Sequence, residues 1–126
     1  MDDRLRQSGL IRRIGLANVS AEQLRTAMAI TDIAAVTVHC NVTTRQHADV
    51  QRLTHEAGIV FSPWHPADLP PAGEGDLFHA VINLIAADYQ ATPGQITLAW
   101  QLHCGPQMLP IPGTTSVRHL EENLCW

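Results

Sequence analysis

The residues best placed for chemistry lie between Leu109 and Leu124, where the chain reads LPIPGTTSVRHLEENL. A short apolar strand runs into a Gly/Thr/Ser turn and then a helix. Gly113 permits a tight backbone path, and Thr114, Thr115 and Ser116 offer hydroxyls. Ser116 is placed to cap the helix, and the free N–H groups of the helix start could hold a phosphate. Strand, polar turn and helix N-terminus together make an anion site at the mouth of an α/β fold. An ordinary strand-to-helix turn has the same pattern, because such turns occur throughout α/β proteins.

The elements that position this turn follow from the upstream pattern. Leu5 to Gly9 reads as the tail of a helix, and Ile11 to Leu16 as a strand. Ser20 and Gln23 form a capping box for a helix running to about Ile30, with Leu24, Ala27 and Met28 inward. Ala34 to Cys40 is the next strand, β-branched and apolar. His47 to Ala57 is helical and stopped by Gly58. Ile59 to Ser62 is a third strand, halted by Pro63.

A Pro- and Gly-rich loop covers His65 to Gly75, and Asp76 to Tyr89 is an amphipathic helix. Thr92 and Gln95 make a second capping box, with Pro93 at the first helical position. That helix ends at Gly105-Pro106. Met108 to Ile111 is a fourth strand, and Val117 to Leu124 the last helix. Short apolar strands separated by helices imply a parallel sheet in an α/β fold. A full eight-stranded barrel takes about 250 residues. Residues 1–126 therefore read as one partial domain, half of such a barrel.

Composition narrows the function classes. The chain has 126 residues, 45% hydrophobic and 16% charged, which marks a globular domain. The net charge of −4 argues against nucleic-acid and anionic-membrane partners. No apolar run approaches membrane-spanning length, and the start carries no apolar signal core. A cytoplasmic protein is expected. Cys40, Cys104 and Cys125 are odd in number and lack a Cys-x-x-Cys spacing, so reduced thiols are the simpler reading. His39 adjoins Cys40, and His47 and His55 could share a helix face. None of this matches the compact spacing of a zinc site. His39 and Cys40 do not make a nucleophile pair, because strand neighbours point to opposite faces.

Four segments resemble the aldo-keto reductases, the NADP-dependent barrel reductases. They are GLIRRIGLANVS (residues 9–20), AGIVFSPW (57–64), ATPGQITLAW (91–100), and IPGT followed by LEEN (111–114 and 120–123). They stand in the family's order at about the family's spacing. The similarity covers essentially the whole chain but only the second half of the family's domain, strands five to eight of its barrel. Residues 1–9 would then be the tail of the fourth helix.

The resemblance implies an NADP(H) site spread over the strand ends. Asn18 matches the residue that holds the nicotinamide carboxamide, while Ala17 replaces the family's neighbouring Ser. His39 stands where a Gln usually shares that task, and lacks the amide's paired donor and acceptor. The aromatic that commonly follows is not evident; Val42 lies near its place. Ser62 resembles the segment that lies over the pyrophosphate, though a plain strand end fits it equally. Gly113, Thr114, Thr115 and Ser116 match the loop around the ribose 2′-phosphate, where many relatives carry Lys at the Gly113 position. Glu122 and Asn123 match the adenine-binding pair, for which a solvated helix face is the other reading of Glu122. His119 stands in place of an Arg, and Arg118 is next door, about 100° away around the helix.

The family's catalytic Asp, Tyr, Lys and His come from its first half. This chain has one tyrosine, Tyr89, at a helix end, and all eight of its basic residues are arginine. A tyrosine with a pKa of about 10 needs a nearby positive charge to donate a proton near neutral pH. No catalytic residue is therefore assigned, and no metal ligand. The expected function is that of an aldo-keto reductase-like chain that keeps part of the cofactor-binding half and is inactive alone: a truncated product, a remnant or one piece of a split enzyme. The alternative is a non-catalytic NADP-binding or interaction module. A half barrel has open strand edges, so a second copy or a separate first half is its expected partner.

Overall fold

The computed structural model of the chain describes residues 4–69 and 77–125. The order is α1 (Arg4–Gln7), β1 (Ile14–Ala17), α2 (Ala21–Met28), β2 (Ile33–His39), α3 (Ala48–Glu56), β3 (Val60–Trp64), α4 (Leu77–Asp88), α5 (Pro93–His103) and α6 (Val117–Leu124). The strands form one parallel sheet in the order β1-β2-β3. Parallel neighbours cannot be joined by a tight turn, so α2 and α3 serve as the crossovers.

Local signals set most helix boundaries. At the start of α2 the Ser20 hydroxyl accepts from the Gln23 amide at 3.2 Å, and the Gln23 side chain accepts from the Ser20 amide at 2.9 Å. Thr92 and Gln95 repeat the device at α5, at 3.2 and 2.8 Å. α2 stops at Met28, short of the expected Ile30, because Ala29 already caps it. α3 ends with Gly58 in the left-handed region at φ +67°, where a side chain would be strained. The expected start of α4 at Asp76 lies outside the described residues.

The sheet has one covered and one open face. Ile14, Val36, Val38, Cys40 and Phe61 are buried with Leu24 of α2 and Val50 of α3. Met28, Leu53 and Met108 pack around them. The opposite face carries Gly15, Ala17, Ala35, Thr37, His39, Val60, Ser62 and Trp64, whose register partners align across the strands. β2 does not alternate cleanly. Ile14 pairs with Ile33 but Gly15 with Ala35, so Ala34 is an extra residue in the ladder. This bulge lets both Ile33 and Val36 reach the core. It also brings the Ala35 carbonyl within 3.3 Å of where a Cβ on residue 15 would stand, so a side chain there would crowd that carbonyl.

Two expectations for the strands change. Pro63 does not halt β3, which continues to Trp64. The expected fourth strand, Met108 to Ile111, is reduced to isolated bridges, Phe61 to Met108 and Trp64 to Ile111. The same proline explains both. The Phe61 amide donates to the Gln107 carbonyl at 3.0 Å, the Leu109 amide to Phe61 at 2.9 Å, and the Ile111 amide to Pro63 at 3.2 Å. By this alternation the nitrogen of Pro63 faces Leu109, and proline has no N–H to give it. The ladder to β2 does not need that donor and stays intact.

α5 and α6 are joined by one side chain. Besides its part in the capping box, Gln95 donates from Nε2 to the carbonyls of Glu122 at 2.8 Å and Cys125 at 2.9 Å. These are terminal carbonyls of α6 that no helical N–H can reach. Gln95→Ala is expected to lower stability by about 2 kcal/mol, combining a lost cap with two lost bonds. Urea unfolding of the variant against the parent chain measures it.

Candidate functional site

A cavity of about 690 Å³ opens between the chain leaving β3 and the start of α6. Trp64, His65 and Asp68 form one wall, and Ile111, Pro112, Gly113 and Thr114 another. Arg118, His119, Glu122 and Asn123 close it along α6, and Thr92 and Gly94 bring in the start of α5. The volume suits a small molecule.

Four of the residues expected from sequence meet here: Gly113, Thr114, Glu122 and Asn123. Thr115 and Ser116 do not line the cavity. Ser116 caps α6 by accepting from the His119 amide at 3.4 Å, and Thr114 Oγ1 accepts from the Ser116 amide at 3.0 Å. The hydroxyls thus serve the backbone turn first. The tight path expected at Gly113 is absent. Its backbone is not in the left-handed region, and nothing lies within 4 Å of where its Cβ would be. Glu122 Oε1 accepts from Arg118 Nε at 2.7 Å, a bond that pushes the Arg118 guanidinium pKa up. Arg118 thereby lies beside Glu122 along the cavity wall despite its angular offset from His119.

Asn18, His39 and Ser62 lie outside the cavity lining. Asn18 follows β1 in the left-handed region at φ 52°, which asparagine tolerates. Its Oδ1 accepts from Trp64 Nε1 at 3.0 Å. The His39 ring lies parallel to the Trp64 ring, 4.3 Å between centroids at 14°. Ser62 sits on the open face, its carbonyl accepting from Thr37 Oγ1 at 2.6 Å. Cys40 faces the core while His39 faces the opposite side, as strand alternation requires.

Two residues that sequence reasoning left without a role of their own organise the site. Trp64 supplies an aromatic ring at the strand ends, although Val42 holds the expected position. The signal was an aromatic directly after Ser62-Pro63, at the end of a strand. Gln101 is fully buried, and its Nε2 donates to the carbonyls of Cys40 at 2.9 Å and Pro66 at 3.0 Å. It ties α5 to the ends of β2 and β3. Asn41 reinforces the junction, donating to the His65 carbonyl and accepting from the Thr43 and Thr44 amides. His65, at φ 52°, contacts Asp68 through Nδ1. Among the described residues no group of three or more His, Cys, Asp or Glu side chains could hold a metal ion.

The sequence profile of the aldo/keto reductase family matches residues 3–68. The chain is 38% identical over 121 residues to pyridoxine 4-dehydrogenase of Escherichia coli, covering 95% of this chain and 41% of that protein. It is 32% identical over 148 residues to the aldo-keto reductase yakc of Schizosaccharomyces pombe, whose name specifies NADP(+), covering 93% of this chain and 44% of that one. Among solved structures, a thermostable aldo-keto reductase, Tm1743, crystallised with the inhibitor epalrestat, superposes with a TM-score of 0.85 at 27% identity, over 96% of this chain and 44% of that one. The chain belongs to the aldo/keto reductase family and forms part of its (β/α) barrel. It spans about two fifths of the length of the curated relatives it matches.

Replacing Gln101 by Leu leaves the Cys40 and Pro66 carbonyls without their donor and is expected to cost about 2 kcal/mol. Urea unfolding reads the loss. The thiols should differ in reactivity. Cys125 is exposed, whereas burial, with Cys104 nearby, raises the Cys40 pKa above its ordinary 9.0 against the opposing pull of Arg45. Iodoacetamide should modify Cys125 first and Cys40 last, as mass spectrometry of peptides from a timed reaction would show. The same shift means the folded state keeps the Cys40 proton above that ordinary value, so its contribution to stability falls as pH rises through it.

Proposed function

We propose that this chain is the cofactor-binding half of an NADP(H)-dependent carbonyl/alcohol oxidoreductase, and that alone it binds the coenzyme without turning over substrate. The observation that carries the reading is the gathering of Gly113, Thr114, Glu122 and Asn123 around one cavity with Arg118 and His119. That donor set fits a nucleotide. The Arg118 and His119 side chains suit phosphate, and the Glu122 carboxylate and Asn123 amide suit a base edge. When bound, such a coenzyme supplies the hydride; these residues would anchor its adenosine and phosphate end. Thr115 and Ser116 act through the turn they stabilise. Asn18, His39 and Ser62 are the candidates for the nicotinamide side.

A proton donor is the part not assigned. Tyr89 is exposed on the segment after α4 and has no lysine to tune it. The whole-enzyme activity then requires another barrel half. A cytoplasmic setting is in keeping with the reduced thiols, the net charge of −4, and the absence, among the described residues, of a helix long and apolar enough to cross a membrane.

A second reading is favoured by the open sheet face and its edges. Ile11 before β1 and Leu109 and Ile111 alongside β3 are exposed, as are Val117, Leu120 and Leu124 of α6. Exposed apolar edges of this kind favour association with a second copy or a separate first half.

Fluorescence titration with NADPH tests the main reading, and saturable binding is the expected result. Arg118→Ala should weaken NADPH about tenfold, near 1.4 kcal/mol, while affecting NADH less. Gly113→Lys, for which there is open space, should tighten it. No carbonyl-dependent NADPH oxidation is expected from the chain alone. Turnover without a first half, or no binding by folded protein, refutes the proposal.

A further inference from the structure

We propose that Trp64 is a specificity-determining plug, which limits the cavity to the phosphate-bearing adenosine end of a nucleotide and holds the nicotinamide end out. This rests on the cofactor reading above. The cavity wall begins at Trp64, and none of its lining residues comes from β1 or β2. Of the candidates for the nicotinamide side, Asn18 and His39 both contact the Trp64 ring, and that ring lines the cavity they do not reach.

That ring is held on several sides. Its N–H donates to Asn18 Oδ1 at 3.0 Å, which occupies that amide's acceptor. His39 stacks on it at 4.3 Å, and His65 meets it edge-on at 4.9 Å and 71°. His65 is in turn fixed by its contact with Asp68 and by the Asn41 bond to its carbonyl. The Trp64 backbone is paired with His39 on one side and bridged to Ile111 on the other. A rotation of the side chain must break the Asn18 bond and the His39 stack together. A ligand that reached past Trp64 would lose the free energy of that rearrangement; one that stopped at Trp64 would not.

The chemistry on the near side is complete without the far side. Thr114, Arg118 with its partner Glu122, His119 and Asn123, and Thr92 and Gly94 at the start of α5, all line the same cavity. A nucleoside carrying phosphates can use all of them and needs nothing from Asn18.

Calorimetric titration of the 126-residue chain with adenosine 2′,5′-bisphosphate and with NADPH tests the plug. The two should bind the parent chain within about threefold of each other, because the nicotinamide end adds no contact. Trp64→Leu should tighten NADPH about tenfold or more and leave the bisphosphate unchanged. Trp64→Phe keeps a ring but lacks the N–H, so it frees Asn18 and should tighten NADPH by a smaller factor. It serves if the leucine variant fails to fold. An NADPH affinity in the parent chain more than about tenfold above that of the bisphosphate overturns the plug, as does an unchanged ratio in the folded variants. Binding of neither probe to folded parent and variant chains overturns the cofactor reading itself and the plug with it.

Discussion

In a parallel ladder every strand ends at the same edge of the sheet, and the site of this protein depends on that constraint. Asn18 and Trp64 are 46 residues apart in sequence and separated by a whole strand, yet they share a hydrogen bond. β2 makes this possible. It is bonded to both neighbours, its helix-side residues Val36 and Val38 are completely buried, and its last residue, His39, provides the surface on which Trp64 lies. The crossover helices cover one face only. The other face stays open and keeps small side chains along most of its length, with the two large rings at the strand ends.

What could be read from sequence was the part governed by short-range chemistry. Both capping boxes formed between residues three apart, and Gly58 took the left-handed conformation that ends α3. The family resemblance carried the parallel α/β architecture and its identity as part of a barrel. The features that were not legible depend on partners distant in the chain. The direction in which Pro63 lacks a donor is set by which neighbouring strand each residue faces. The bulge at Ala34 shows only when β1 is laid against β2. Gln101 resembles any polar residue of an amphipathic helix until its two carbonyl partners, 61 and 35 residues away, are known.

For the site the division was similar. The α6 turn was legible as strand, polar loop and capped helix, and four of its expected residues do line the cavity. Ser116 was expected to cap α6 and does, whereas the bond of Thr114 Oγ1 to the Ser116 amide was not legible. Gly113 was read as permitting a tight backbone path, and the open space around it shows that no such path is taken. Trp64 was visible as an aromatic after Ser62-Pro63, but nothing local connects it to Asn18 or His39. That link requires the three strand ends to be side by side.

The cavity and the open sheet face are largely separate structures. Every cavity-lining residue lies at or beyond Trp64, while the open face is built chiefly by β1, β2 and β3. Gln101 joins the two by holding the Cys40 and Pro66 carbonyls to α5, and Gln95 then holds α6 to α5. The chain of support therefore runs from the sheet through two glutamine side chains to the cavity wall. Covering the open face with another barrel half would bury Gly15, Ala17, Ala35 and Thr37, which offer little apolar area, and would leave that support untouched. Ligand binding in the cavity and closure of the barrel are thus expected to draw on different parts of the structure, and Trp64 is where the two meet.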